Sequence, residues 1–106
     1  MKFLILVKDR TGVQGPADPM ELNRRVRDWV AQRLEDGTFE CAYYVIPDRG
    51  LCIVNAASHE ALLAQIRAWP AFPFSEFEVH PLANVAFGID NNYERLEKNT
   101  PSSPST

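Results

Sequence analysis

Glu78 and His80 are the residues best placed by type and spacing to move a proton. They stand two apart in the alternating stretch Glu76 to Leu82, so both project from one face of a strand. An imidazole beside a carboxylate titrates near neutrality and can take or return a proton. The competing reading is a polar strand face turned to solvent or to a dimer rim. Tyr43 and Tyr44 come next, because a phenol can orient a carbonyl or donate to a developing enolate. On a strand they point to opposite faces, so at most one serves any given cavity. Ordinary aromatic packing is the alternative for both. Cys41 shares the face of Tyr43, and no electropositive neighbour that would activate its thiol is visible. Cys41 and Cys52 lack CxxC spacing or clustered histidines, which favours buried thiols over a metal site or a disulfide. Asn55 interrupts an apolar strand and needs a hydrogen-bond partner, either a ligand or the neighbouring strand. His59 opens a helix and reads as a surface position. Around Asp9 and Arg10 the glycines form neither GxxxxGK[ST] nor GxGxxG, and Arg24, Arg25 and Arg27 read as a solvated helix face.

These residues are carried by a single domain of 106 residues, large enough for one core. Apolar residues make up 45% and charged residues 24%, the balance of a soluble globular protein. A net charge of −3 gives no electrostatic reason to expect nucleic acid or an anionic membrane as partner. The longest apolar run, Phe3 to Val7, is too short to span a bilayer and lacks the features of a secretory signal. Cytoplasm is the expected compartment.

Lys2 to Lys8 reads as a near-continuous apolar strand, buried on both faces. A glycine-containing loop follows. Asp18 then caps a helix, with Pro19 at its first position and Glu21 completing a capping box. Leu22, Val26, Trp29, Val30 and Leu34 form its apolar stripe, and Gly37 stops it. Phe39 to Ile46 and Leu51 to Ala56 read as two strands joined by a turn at Pro47-Asp48-Arg49-Gly50. Ser58 caps a second helix carrying Leu62, Leu63, Ile66 and Trp69. The final strand follows. The domain is expected over residues 1–90, with an extension over 91–106. Tyr93 and Leu96 are expected to give a short docked turn, and Asn99 to Thr106, rich in Ser, Pro and Thr, to be disordered.

The β-α-β-β-α-β order predicts an α+β, ferredoxin-like sandwich with both helices on one face of an antiparallel sheet. The uncovered face carries half of the strands' apolar residues and is expected to meet a second copy, giving a homodimer and a dimeric α/β barrel. Between the second helix and the last strand lies Trp69-Pro70-Ala71-Phe72-Pro73-Phe74. Its two prolines suit no helix interior, and its apolar side chains suit no solvated loop. It is expected to pack against a subunit or to wall a pocket.

This connection, with Glu60-Ala61-Leu62 before it and Ala31-Gln32-Arg33-Leu34, Gly37-Thr38 and Phe39 further upstream, resembles muconolactone isomerases. The similarity runs from about Asp18 to Leu82. Those proteins are small dimeric α/β barrels that assemble further, and their second helix also ends in a Leu-Pro-X-Phe-Pro-aromatic connection. On the second strand they carry a basic cluster suited to a lactone carboxylate, whereas this chain has Glu40, Cys41 and Tyr44. The resemblance therefore implies the scaffold with a pocket rebuilt for a less anionic substrate. Its wider superfamily includes cofactor-free isomerases, cyclases and monooxygenases acting on aromatic or polyketide-like compounds.

The expected activity is proton-transfer isomerisation or cyclisation of such a compound or an unsaturated lactone, without metal or cofactor. A non-catalytic binding or scaffold dimer and a cofactor-free monooxygenase are the alternatives. His80 would be the acid or base beside Glu78, and Tyr43 or Tyr44 the hydrogen-bond donor. Glu40, Cys41, Trp29, Asn55, Trp69, Phe72 and Phe74 would contact the substrate.

Overall fold

Capping chemistry sets both main helices. In the computed structural model, which describes residues 1–99, the Glu21 amide donates to Asp18 Oδ1 at 3.0 Å and Pro19 opens helix α1 (Pro19–Glu35). Gly37, at φ +82°, lets the chain turn away where a Cβ would be strained. Ser58 Oγ accepts from the Ala61 amide at 3.0 Å and starts α2 (His59–Arg67). Four strands accompany them: β1 (Lys2–Asp9), β2 (Phe39–Val45), β3 (Arg49–Asn55) and β4 (Ser75–Leu82). They form one antiparallel sheet in the order β2-β3-β1-β4, the ferredoxin-like α+β arrangement expected from the element order.

Strand register assigns each side chain to a face. Phe3, Ile5 and Val7 stand opposite Val54, Cys52 and Gly50 on β3, and opposite Pro81, Val79 and Phe77 on β4. This face is covered by the helices. Its core joins Phe3, Ile5, Phe39, Cys52 and Val54 to Leu62 of α2 and to Trp69. The other face carries Leu4 and Leu6 beside Leu51 and Ile53, with Glu76, Glu78 and His80 in the β4 row. These apolar residues are only half-buried, so β1 is buried on one face in the single chain, not on both.

A register shift between Phe39 and Cys41 alters the alternation along β2. Phe39 faces the core. Beyond the shift, Ala42 and Tyr44 oppose Cys52 and Gly50 on the core face, while Cys41 and Tyr43 oppose Ile53 and Leu51 on the open one.

The connection after α2 is more ordered than a loop. Trp69 turns back through its amide to the Ile66 carbonyl, and Phe72–Phe74 forms one 3₁₀ turn. The residue count of that turn leaves no intrahelical bond for Pro73 to forfeit. The hairpin turn lies at residues 46–48 rather than 47–50, so Arg49 and Gly50 already belong to β3.

The C-terminal region differs most from expectation. In place of a short docked turn stands a third helix, α3 (Val85–Asn99), every residue of which is exposed. The expected boundary at residue 90 falls inside it. From residue 100 onward, the segment expected to be disordered lies outside the described residues.

Trp69 is 8% exposed and touches three other rings, so its truncation leaves a large void. Trp69→Ala is expected to cost about 3–5 kcal/mol of unfolding free energy in urea titrations, and Leu34→Ala, at an exposed position, less than about 1 kcal/mol.

Candidate active site

No residue of α1 is buried, although Leu22, Val26 and Val30 form an apolar stripe facing the sheet. The helix stands off rather than closing down. Between it and the sheet lies an open cleft of about 1270 Å³. Trp69, Ala71 and Phe74 wall one side of this cleft, Leu22, Val26 and Val30 the other, and Phe39, Ala42 and Cys52 floor it. Apolar walls with a few polar groups are the usual composition of a small-molecule site.

The aromatic wall is held by ring contacts. Trp69 lies 4.9 Å from Trp29 and 5.5 Å from Phe39 by ring centroids, and meets Phe77 edge-on at 5.4 Å. Phe72 stacks on Phe77 at 5.9 Å. Trp29 and Phe72 thus support the wall from behind, and neither lines the cleft, contrary to expectation. The Arg33 guanidinium lies over the Trp29 ring at 4.7 Å and shields it further.

Polar groups gather where β1 ends and β4 begins. Asp9 and Ser75 stand directly opposite one another on the cleft face, and both line it. Ser75 is the one buried polar residue among those described, at 4% exposure. Asn23 and Arg27 of α1, Arg10 of the following loop, and Asp48 of the hairpin also reach the cleft. Tyr44 borders it from the core face of β2, and Tyr43 touches its margin at the same end. Sequence reading missed Asp9 and Ser75. Alternation through Phe3, Ile5, Val7 and Asp9 and through Ser75, Phe77 and Val79 carries the signal, but the apolar run of β1 conceals it.

The remaining expected site residues lie elsewhere. Glu78 and His80 sit on the open face of the sheet, with His80 Nε2 2.7 Å from Glu78 Oε2. They do form the expected pair. That pair is separated from the cleft by the sheet itself. The His80 hydrogen bond, with its charge and those of Arg49 and Lys8, holds the Glu78 carboxyl below its usual range. Glu40 forms an ion pair with Lys2, whose hydrogen bond lowers its carboxyl likewise. Cys41 lies on the open face, and Asn55 ties strand to helix end: its Nδ2 donates to the Gly37 carbonyl at 3.2 Å, and its amide to Thr38. None of these lines the cleft. The inference of a less anionic pocket, drawn from Glu40, therefore has no support in the cleft's own lining.

Among the described residues no three His, Cys, Asp or Glu side chains converge as a metal site, and no helix is long and apolar enough to cross a membrane.

The fold is that of muconolactone isomerase. One solved structure of that enzyme matches 98% of this chain and 95% of its own at a TM-score of 0.68 and 21% identity. A second, 5-chloro-2-hydroxyhydroquinone dehydrochlorinase from Burkholderia phenoliruptrix in complex with 2,5-dihydroxybenzoquinone, matches 79% of this chain and 95% of its own at a TM-score of 0.54 and 18% identity. No protein-family model and no curated protein sequence matches the chain. At these identities the likeness establishes the scaffold: an α+β domain of the kind on which both of those enzymes are built.

Two measurements test the electrostatics. Burial pushes the Cys52 thiol up to about 12, whereas Cys41 is half-exposed. Disulfide-exchange labelling at pH 8 is expected to modify Cys52 only on unfolding, at least ~100-fold more slowly than a free cysteine. Equal rates in the native protein would contradict this placement. For Glu78, a depressed folded pKa means that its contribution is present above the unfolded carboxylate range and lost as pH falls through the folded value. Being exposed, it contributes little. Glu78→Gln is expected to lower stability slightly on the neutral plateau and to converge with the wild type at low pH, so that the acid limb flattens in urea titrations.

Proposed function

We propose that this chain is a small-molecule isomerase or cyclase, acting by proton transfer on an unsaturated lactone, aromatic or polyketide-like compound held in the cleft between α1 and the sheet. It would need no cofactor and work in the cytoplasm as a homodimer or higher homo-oligomer. The observation that carries the reading is the cleft: an apolar wall of Trp69 and Phe74, with Asp9 and Ser75 paired at its β1–β4 side, Tyr44 on β2 across the sheet and Asn23 on α1. Two enzymes that share the fold act on compact unsaturated rings, and a ring of that kind suits these walls.

The acid–base roles fall to groups that face the cleft. The Asp9 carboxylate takes a proton from the carbon next to a carbonyl. Tyr44 donates a hydrogen bond to the enolate oxygen that results, and Ser75 and Asn23 orient the ring. Asp9, whose proton exchanges with water in the open cleft, then delivers a proton to a conjugated carbon, which completes an isomerisation with no net change in atoms or electrons. His80 and Glu78 lie across the sheet and take no part within one chain.

Binding and turnover are separable. Calorimetry and thermal shift with 2,5-dihydroxybenzoquinone test occupancy, and deuterium uptake from heavy water into muconolactone tests proton transfer. Uptake is expected to fall about 10²-fold or more in Asp9→Asn and about tenfold to 10²-fold in Tyr44→Phe. His80→Ala is expected to leave it unchanged. Full exchange in both cleft variants would sink the proposal. A second reading, non-catalytic binding, is supported by the absence of an imidazole from the lining among the described residues. Saturable binding without exchange would favour it.

A further inference from the structure

Among the described residues, nothing covers the Val85–Tyr93 stretch of helix α3. Val85, Ile89 and Tyr93 recur every four residues and lie on one stripe, yet they are 75%, 51% and 66% exposed, and Phe87 is 67% exposed. A helix packed on its own domain buries at least one such stripe. Nor does local propensity explain it. Gly88, Asp90, Asn91 and Asn92 are poor helix formers, and an isolated helix of 15 residues is marginal in water even with good ones. This helix therefore needs a surface to pack against.

Its own body is not in reach. Only Ala83 and Asn84 separate α3 from β4, and Asn84 Oδ1 accepts from the amides of Ala86 and Phe87 at 2.8 and 3.2 Å. This cap starts the helix directly at the end of an edge strand and sends it outward. The chain spans 71 Å along its long axis against 32 and 25 Å across. Its radius of gyration is 19.5 Å, where a compact domain of about 100 residues has roughly 13 Å.

We propose that α3 is an exchanged arm, packing its Val85–Ile89–Tyr93 stripe onto the body of a second copy of this chain. The proposal rests on the homodimer reading and adds to it where the C-terminal helix goes. A second copy is the fitting occupant for three reasons. The open sheet face is apolar at its centre through Leu4, Leu6, Leu51 and Ile53. Around them lie charge pairs of both signs, Lys2–Glu40, Lys8–Glu76 and His80–Glu78, which a two-fold copy can match. Since α3 departs from β4, an edge of that sheet, stacking two open faces carries each arm alongside the other body. An anionic membrane fits poorly: α3 carries Asp90, Glu94 and Glu97 against Arg95 and Lys98, and lacks a basic face.

The test uses the full chain, with sedimentation for mass and amide exchange for α3. The wild type is expected to be a dimer or larger, with α3 amides protected. Ile89→Glu with Tyr93→Glu is expected to raise the dissociation constant at least tenfold and to remove that protection, the core amides of β1 staying protected. Leu51→Glu, which charges the open face and spares α3, is expected to weaken the dimer and unprotect α3 together. A dimer whose α3 exchanges freely would overturn the arm while leaving the homodimer intact. A monomeric wild type would overturn both. α3 remaining protected in a Leu51→Glu monomer would overturn the arm alone, since the helix would then be packed on its own chain.

Discussion

The packing of Trp69 is the contact on which the other features depend. Its ring meets three others, from α1, β2 and β4, and the last of these, Phe77, stacks in turn on Phe72 of the 3₁₀ turn. No other described aromatic ring has as many ring partners. The prolines on either side of Ala71 restrict the backbone that delivers it, so the ring enters at a set angle and little conformational entropy remains to be lost there. Trp69 packs against Trp29 of α1, and the cleft is the volume left between the helix and the sheet beside that contact.

The sheet separates two kinds of surface. One face holds the core and the cleft, with its aromatic wall and the Asp9–Ser75 pair; the other holds an apolar centre with paired charges around it. The register shift at Glu40 decides which tyrosine belongs to which. With strict alternation from Phe39, Cys41 and Tyr43 would share the core face with it. The extra residue instead brings Ala42 and Tyr44 to the core side and turns Cys41 and Tyr43 outward. The ion pair between Glu40 and Lys2 holds that irregular residue on the open side.

Much of the fold was legible because its signals are local. Asp18-Pro19 and Ser58 cap helices wherever they occur before an apolar stripe, and Gly37 stops one because it tolerates positive φ. The site was less legible. Paired residues on β4 were rightly placed on one face, but nothing local says which face covers a cleft; that depends on where α1 and α2 pack. Asp9 and Ser75 were hidden for a related reason. In β1 both faces are apolar, so the alternation that marks Asp9 as inward-facing is masked. The shift at Glu40 has no sequence signature of its own, and α3 was missed because Gly88 and the Asp90–Asn92 run speak against a helix that packing would have to supply.

The hydrogen bonds that Asn55 makes at the far end of α1 have a mechanical meaning. Its side chain holds the Gly37 carbonyl and its amide holds that of Thr38, which fastens the C-terminal end of the helix to β3. The N-terminal end is joined to β1 only through an exposed loop containing Gly12 and Gly15. With no buried residue along its length, α1 is a beam clamped to the sheet at its C-terminal end. The load on such a beam falls on the walls of the cleft rather than on the core beneath it, with the clamp at Asn55 as its fulcrum.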